Sequence, residues 1–218
     1  MGKNKLKRFS DNARFDHVIE HTDFQEQPTP KGKWQSEIFG NENPIVLELA
    51  CGAGDYALGL AQKYPEKNFI GIDIKGSRIW KGAKIAKRKS IENVRFLRLL
   101  IDHLDDYFAP GEVSEIWITF PDPHLKVRNR RKRLTSPKFL EIYKKIASDN
   151  CTINLKTDSL SLYKYTLEII EQEKLDIKEK VDDVYKERSD DDLTIKTFYE
   201  KMHLKNGRTI QFVSFFAH

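Results

Sequence analysis

From Pro44 onward, short apolar runs alternate with segments whose apolar residues recur every three or four positions. "IVLEL" (Ile45–Leu49) is apolar except for Glu48, the pattern of a strand buried on both faces. "DYALGLAQKY" (55–64) reads as a helix that Pro65 stops. "NFIGID" (68–73) is a second strand, and a long basic helix over 75–89 follows it. "NVRFLRLL" (93–100) and "EIWITF" (115–120) are the third and fourth strands. "SPKFLEIYKKIA" puts Ser136 at an N-cap and Pro137 at the first helical position. Its residues Phe139, Ile142, Tyr143 and Ile146 share one helical face. "CTINLKT" (151–157) is a fifth strand. "LYKYTLEII" (162–170) is a helix with Leu162, Tyr165, Thr166, Ile169 and Ile170 on one side. The end differs, because "TIQFVSFFA" (209–217) is a long apolar strand with no helix after it.

Strands alternating with helices predict an α/β fold with a mostly parallel sheet covered on both faces. Ligands of such sheets bind at the carboxyl ends of the strands. An acid falls there in or after each of the five strands: Glu48, Asp73, Asp102, Asp122 and Asp158. Together they predict a ring of carboxylates around one crevice. Residues 1–40 are polar and rich in Lys and Pro, as in "QPTPKGKW", and read as a basic N-terminal arm on a single domain over 41–218.

Composition narrows the class. The chain has 218 residues, 39% of them hydrophobic, and a mean hydropathy of −0.61, which suits a soluble globular protein. No apolar run approaches the roughly 18–20 residues that span a bilayer. "MGKNKLKRFSDN" lacks the apolar stretch of a secretory signal, and Leu6 stands where myristoylation wants Ser or Thr. Cys51 and Cys151 are the only cysteines, too few for a disulfide scaffold, so a reducing, cytoplasmic setting is expected. The net charge is +5 and the pI about 9.0. Basic residues gather in 1–8, 75–89 and 126–133, and acids in "DDVYKERSDDD" (182–192). So uneven a positive surface points to a polyanion, most often nucleic acid.

The first strand leads into "LELACGAGDYA", where Gly52-x-Gly54-x-x-Ala57 satisfies the dinucleotide-binding pattern. Asp55, however, occupies the helix start that a pyrophosphate would need, and Glu48 precedes the loop. Two acids suit a cation better than a dianion. S-adenosylmethionine carries an ammonium and a sulfonium and no phosphate. Asp73 then lies where an acid bonds ribose hydroxyls, and Asp102 near the adenine or methionine end. Asp122 is held between Pro121 and Pro123 at the mouth of the fourth strand, in "TFPDPHLKVRNRRKRL". Six of the eight positions from 126 to 133 are basic.

Glycine loop, ribose acid, "FPDP" and basic run together resemble the tRNA (guanine-N7)-methyltransferase family. "ELACGAG" is similar to its E-x-G-x-G-x-G, "GID" to its G-x-E/D, "LKTD" (155–158) to its T-D, and "TFYE" (197–200) to its T-K-F/Y-E. Three positions depart from the family pattern. Ala50 stands where the first loop glycine usually is, His124 where F-P-D-P-W has Trp, and Phe198 where the last motif has Lys. The resemblance implies a Rossmann-like class I methyltransferase with a seven-stranded sheet, S-adenosylmethionine as methyl donor and tRNA as partner. It implies methylation at N7 of a guanine in the tRNA variable loop. Glu48, Gly52, Gly54, Asp73, Asp102 and Asp122 are then expected at the methyl donor. Lys126, Asp158, Thr197, Phe198, Tyr199 and Glu200 are expected at the target nucleotide, and no protein partner is called for.

The chemistry is consistent with these residues. Guanine N7 has an exposed lone pair and no proton, so the reaction needs no obligatory general base. The task is to align N7 with the methyl and to exclude water. Asp122 matches the two adjacent donors of guanine, N1–H and the exocyclic amine, and would stabilise positive charge on the purine. Arg128, Arg130, Arg131, Lys132 and Arg133 would grip phosphates without reading sequence.

Other readings are weaker. "HVIEH" (17–21) matches an inverted zinc-protease motif but has no evident third ligand, so no metal is expected. A nicotinamide-linked reductase conflicts with Glu48 and Asp55. A purely RNA-binding module leaves the strand-end acids without a role. Amino-directed methyltransferases carry D/N-P-P-Y/F, which is absent here.

Overall fold

All but one of the strands in the computed structural model run in the same direction, as the strand–helix alternation requires. The structure describes residues 7, 8, 10–20, 29–188 and 192–218. Among them the strands are β1 (Val18–Glu20), β2 (Ile45–Leu49), β3 (Asn68–Ile72), β4 (Val94–Arg98), β5 (Val113–Thr119), β6 (Ala147–Thr157), β7 (Ile177–Val181) and β8 (Gln211–Phe216). They lie in the order β1-β4-β3-β2-β5-β6-β8-β7, and β8 is antiparallel to both of its neighbours. The helices are α1 (Asp55–Lys63), α2 (Gly76–Lys89), α3 (Leu104–Tyr107), α4 (Pro137–Ile146), α5 (Leu160–Gln172), α6 (Val184–Glu187) and α7 (Phe198–Lys205).

The sheet has a core on each face. Ile45, Leu47 and Leu49 of β2 enter one core with α4 and α5, while Val46 enters the other with α1 and α2. Side chains alternate along a strand, so Glu48 shares the face of Val46 and points under α1. The five helical positions expected to face inward from α5 are all buried, as are Phe139, Ile142, Tyr143 and Ile146 of α4.

The expected seven strands are β2 to β8. The eighth, β1, comes from the N-terminal arm and pairs with β4, Val18 opposite Phe96. Three residues are too short to show an alternating pattern. Within the arm, Trp34 is fully buried, stacks on Phe108 at 5.1 Å and donates its indole N–H to the Tyr107 carbonyl at 2.8 Å. The end of the arm is therefore core. Of the zinc-like motif, His17 is buried with Nε2 3.1 Å from the Ile91 carbonyl, and His21 lies outside the described residues. Residues 1–6 and 189–191, parts of the basic and acidic runs, also lie outside them.

The turn after β2 is tight. Gly54 has φ 67°, and a Cβ there would come within 2.4 Å of the Phe96 ring. Ala50 adopts φ 53°, the left-handed conformation that glycine favours. Ala50→Gly should therefore raise stability by about 1 kcal/mol. For a chain of this size that is roughly 2–4 °C in Tm. Thermal unfolding tests it, and an unchanged or lower Tm would mean that the loop carries no strain at Ala50.

Candidate active site

The chain builds the sheet outward from β2, adding β3 and β4 on one side and β5 and β6 on the other. The carboxyl ends of β2 and β5 part at this switch point. A crevice of about 560 Å³ opens there. The loop at 50–55, Asp73, the start of α2 with Arg78 and Lys81, residues 119–122 after β5, and residues 197–199 line it.

Glu48 forms the floor. Its Oε2 accepts the Ala57 N–H of α1 at 2.8 Å, and its Oε1 accepts the Thr119 hydroxyl at 3.0 Å. Burial outweighs these bonds and pushes the carboxyl up to about 8. Asp73 accepts the Gly52 N–H at 3.0 Å and the Lys75 N–H at 2.7 Å, and so joins the glycine loop to the end of β3. Asp55 accepts the Phe198 N–H at 2.9 Å. Cys51 also lines the crevice, but burial, with Glu48 and Asp73 nearby, holds its thiol well above the usual range, so it offers no nucleophile.

Asp122 is exposed at the crevice mouth. Its Oδ1 accepts the His124 N–H at 3.0 Å, and the His124 ring stands 3.7 Å away. A second hollow of about 340 Å³ lies alongside and is lined by Asp158, His203 and Arg208. Phe120, Pro121, Asp122 and Tyr199 border both spaces. Asp158 pairs with Arg208, and its Oδ2 is 3.3 Å from His203 Nδ1. The His203 ring stacks on Phe120 at 5.8 Å.

The segment "TFYE" opens α7. Thr197 and Glu200 form a reciprocal capping box. Phe198 is 69% exposed at the crevice and Tyr199 is half-exposed, so neither aromatic packs inward as a solvated helix would suggest. The buried member is Glu200. Its Oε1 lies 2.7 Å from Lys156 Nζ, with both side chains wholly buried, and accepts the Tyr185 hydroxyl at 2.8 Å. Lys156 Nζ also donates to the Leu193 and Ile195 carbonyls.

The structure thus brings Glu48, Gly52, Asp73, Asp122, Thr197, Phe198 and Tyr199 to one crevice, and Asp158 to the hollow beside it. Gly54 lies in the same loop but packs on Phe96. Four expected residues lie elsewhere, the first being Lys126, which was expected at the target nucleotide but is exposed and borders neither space. Asp102, at the turn before α3, pairs with Lys138 of α4 and does not line the crevice. Glu200 is the buried partner of Lys156 and has no free face for a nucleotide. Arg133 is 3% exposed; it donates to the Pro123 and His124 carbonyls at 3.1 and 3.2 Å and lies 4.3 Å from the centre of the Tyr165 ring. Burial takes it out of the phosphate-facing run and makes it a brace for the Pro121–Pro123 turn. Lys126, Arg128, Arg130, Arg131 and Lys132 remain exposed. Thr119, Phe120, His203 and Arg208 were not foreseen. Lys156 left one sign, a lone charge inside an apolar strand.

The donor set fits S-adenosylmethionine. The start of α1 carries the carboxylate of Asp55, not room for a pyrophosphate, and four acids line the crevice: Glu48, Asp55, Asp73 and Asp122. Fold and site together define a Rossmann-like, S-adenosylmethionine-dependent methyltransferase. The 16S rRNA methyltransferase KamB has the same fold, with a TM-score of 0.66 at 12% identity over 88% of this chain and 96% of that one. A methyltransferase from Aquifex aeolicus aligns over 100% of both chains with a TM-score of 0.56 and 16% identity. A family profile described as "Putative methyltransferase" matches residues 42–213. The tRNA (guanine-N(7)-)-methyltransferase of Bacteroides fragilis is 47% identical over 99% of this chain and 86% of its own. That of Christiangramia forsetii is 46% identical over 98% and 97%. The chain belongs to the tRNA (guanine-N7)-methyltransferase family.

Two outcomes are expected from these contacts. Glu200→Gln should break the buried ion pair with Lys156 and lower stability by about 3–5 kcal/mol. Denaturant unfolding measures it, and a loss under about 0.5 kcal/mol would mean a surface role. For Glu48, a cation bound above it lowers its carboxyl from about 8, so binding below pH 8 must release a proton. S-adenosylmethionine affinity should therefore rise from pH 6 to 8, by up to about tenfold per unit, and level off above. Glu48→Gln, which mimics the protonated form, should flatten the profile. Calorimetry at several pH values checks this, and matching slopes for parent and variant would refute it.

Proposed function

We propose that this enzyme transfers the methyl group of S-adenosylmethionine to N7 of a guanine in the variable loop of tRNA. The observation that carries this reading is the shared wall: Phe120, Pro121, Asp122 and Tyr199 border both the methyl-donor crevice and the adjoining hollow. A base in the hollow would meet a donor in the crevice across Asp122. The donor supplies an electrophilic methyl on sulfur, and the chain's residues align and shield the acceptor.

In this reading Asp73 holds the ribose, and the glycine loop lets the backbone approach the donor. Asp122 accepts the N1–H and amine of guanine and offsets charge gained by the purine on N7-alkylation. Its His124 bond and the Arg133 brace keep the carboxylate aimed, so little reorganisation remains at the moment of transfer. Tyr199 and Asp158 bound the base, and Thr197 and Phe198 cover the crevice from α7. Lys126, Arg128, Arg130, Arg131 and Lys132 hold the phosphates. Residues 41–218 act as one catalytic domain, to which the segment before them adds β1 and Trp34. No helix among the described residues is long and apolar enough to cross a membrane. The cytoplasm, where tRNA and the methyl donor meet, is the proposed location, and the reading needs no protein partner.

Nucleoside analysis of bulk tRNA after incubation with the protein and labelled S-adenosylmethionine tests the assignment, with label expected only in 7-methylguanosine. Asp122→Asn keeps the shape but removes the charge, and should cut single-turnover methylation about 100-fold or more with tRNA affinity nearly unchanged. A parent-like rate would make Asp122 a turn residue only.

A further inference from the structure

A groove of about 750 Å³ lies away from the active site, between the N-terminal arm and α2. Its cations are Lys7, Arg8, Arg14, Lys84, Lys87 and Arg88, and its one acid is Asp11. Asp11 is already engaged, because its Oδ2 accepts the Trp80 indole N–H at 3.0 Å. Arg8 and Lys84 lie 4.9 and 5.1 Å from the centre of the Trp80 ring, and Lys87 lies 5.7 Å from that of Phe15. Among the described residues Lys84, Lys87 and Arg88 form no salt bridge. The groove is a built feature. Asn12 is buried and donates to Glu20 Oε1 at 2.8 Å and to the Gly76 carbonyl at 3.0 Å, which fastens the arm along α2.

The helix also connects the groove to the active site. Arg78 and Lys81, near its start, line the crevice, and Lys84, Lys87 and Arg88 continue outward along it. At about 1.5 Å per residue this path covers roughly 15 Å from Arg78 to Arg88. The buried side of the helix is Ile79, Gly82, Ala83 and Ala86, so the charges are confined to the outer side. The exposed run of 126–132 follows β5, whereas α2 follows β3, so the two cationic surfaces flank the crevice.

We infer that this groove is a second phosphate-binding surface for the same tRNA, holding backbone beyond the methylated loop. The inference rests on the proposed function. Net positive charge, three cations with no salt bridge among the described residues and continuity with the crevice favour a polyanion that extends past the reacting base. The aromatic rings are covered by cations, which leaves phosphates, not stacked bases, as the groups recognised. A tRNA gripped on both sides of the crevice has its reacting loop held over Asp122.

The test is the triple variant Lys84→Ala, Lys87→Ala and Arg88→Ala, which leaves Arg78 and Lys81 in place. Alanine favours helix, so folding is not threatened. Each lost phosphate contact should flatten the plot of log K against log salt by about 0.7–0.9, or about 2 units for three. If the plots converge near 1 M salt, tRNA affinity at 0.1 M falls about 100-fold. S-adenosylmethionine affinity and turnover on a short hairpin carrying the target guanine should not change. Parallel salt plots from a parent that methylates tRNA would overturn the groove alone. A parent that methylates no tRNA would overturn the assignment on which the groove depends. Loss of hairpin turnover with loss of tRNA binding would place these residues in the active site and refute a separate surface.

Discussion

A single ion pair with no solvent contact, Lys156 to Glu200, holds the active site together. Burying two charges is expensive unless their remaining hydrogen-bonding capacity is met. Here it is met: Lys156 also reaches the Leu193 and Ile195 carbonyls, and Glu200 accepts from Tyr185 and closes the capping box of α7. The stretch from 192 to 200 belongs to no strand, and this pair ties it to the end of β6. Because Glu200 is locked inward, Phe198 and Tyr199 must face outward over the crevice. The Asp55 bond to the Phe198 N–H adds a second tie, from the glycine loop itself. Glu200, expected to contact the target nucleotide, thus shapes the site from behind.

Local pattern carried the fold. Strands β2 to β6 and β8, and helices α1, α2, α4 and α5, are visible as apolar runs and helical faces because the core on each side of the sheet demands them. Strand β7 is mostly exposed, so "IKEKV" has no apolar run to betray it. Strand β1 is three residues long and exists through its pairing with β4. Trp34 looked like part of a polar arm, since its neighbours are Lys, Gly and Gln. Its burial depends on Phe108 and Tyr107, far along the chain.

The site was legible where chemistry follows a strand end and illegible where it depends on which way a side chain turns. Glu48, Asp73 and Asp122 arrive at the crevice because β2, β3 and β5 end there. Asp102 follows β4, also at a strand end, yet it swings to Lys138. Arg133 shows the same limit within the basic run. Six neighbouring cations look alike in sequence, and one of them turns inward because two carbonyls and the Tyr165 ring receive it.

Part of the backbone strain lies where the chemistry is proposed. Among the described residues other than glycine, five have positive φ values; Ser90 and Lys174 follow the ends of α2 and α5, while Ala50, Phe120 and His124, at 53°, 49° and 42°, bracket the glycine loop and the Asp122 turn. Such conformations cost of order 1–3 kcal/mol each and persist only where surrounding contacts over-determine them. Those contacts are present for the Asp122 turn. Arg133 draws in the Pro123 and His124 carbonyls, Asp122 holds the His124 N–H, and His203 stacks on Phe120. His124 stands where the family pattern has Trp, so a polar ring beside Asp122 replaces a larger apolar one. The turn therefore keeps its aim through hydrogen bonds to its own backbone, not through the bulk of the side chain that follows it. That is why a chain departing from its family's motif at this position can still hold the Asp122 carboxylate at the mouth of the crevice.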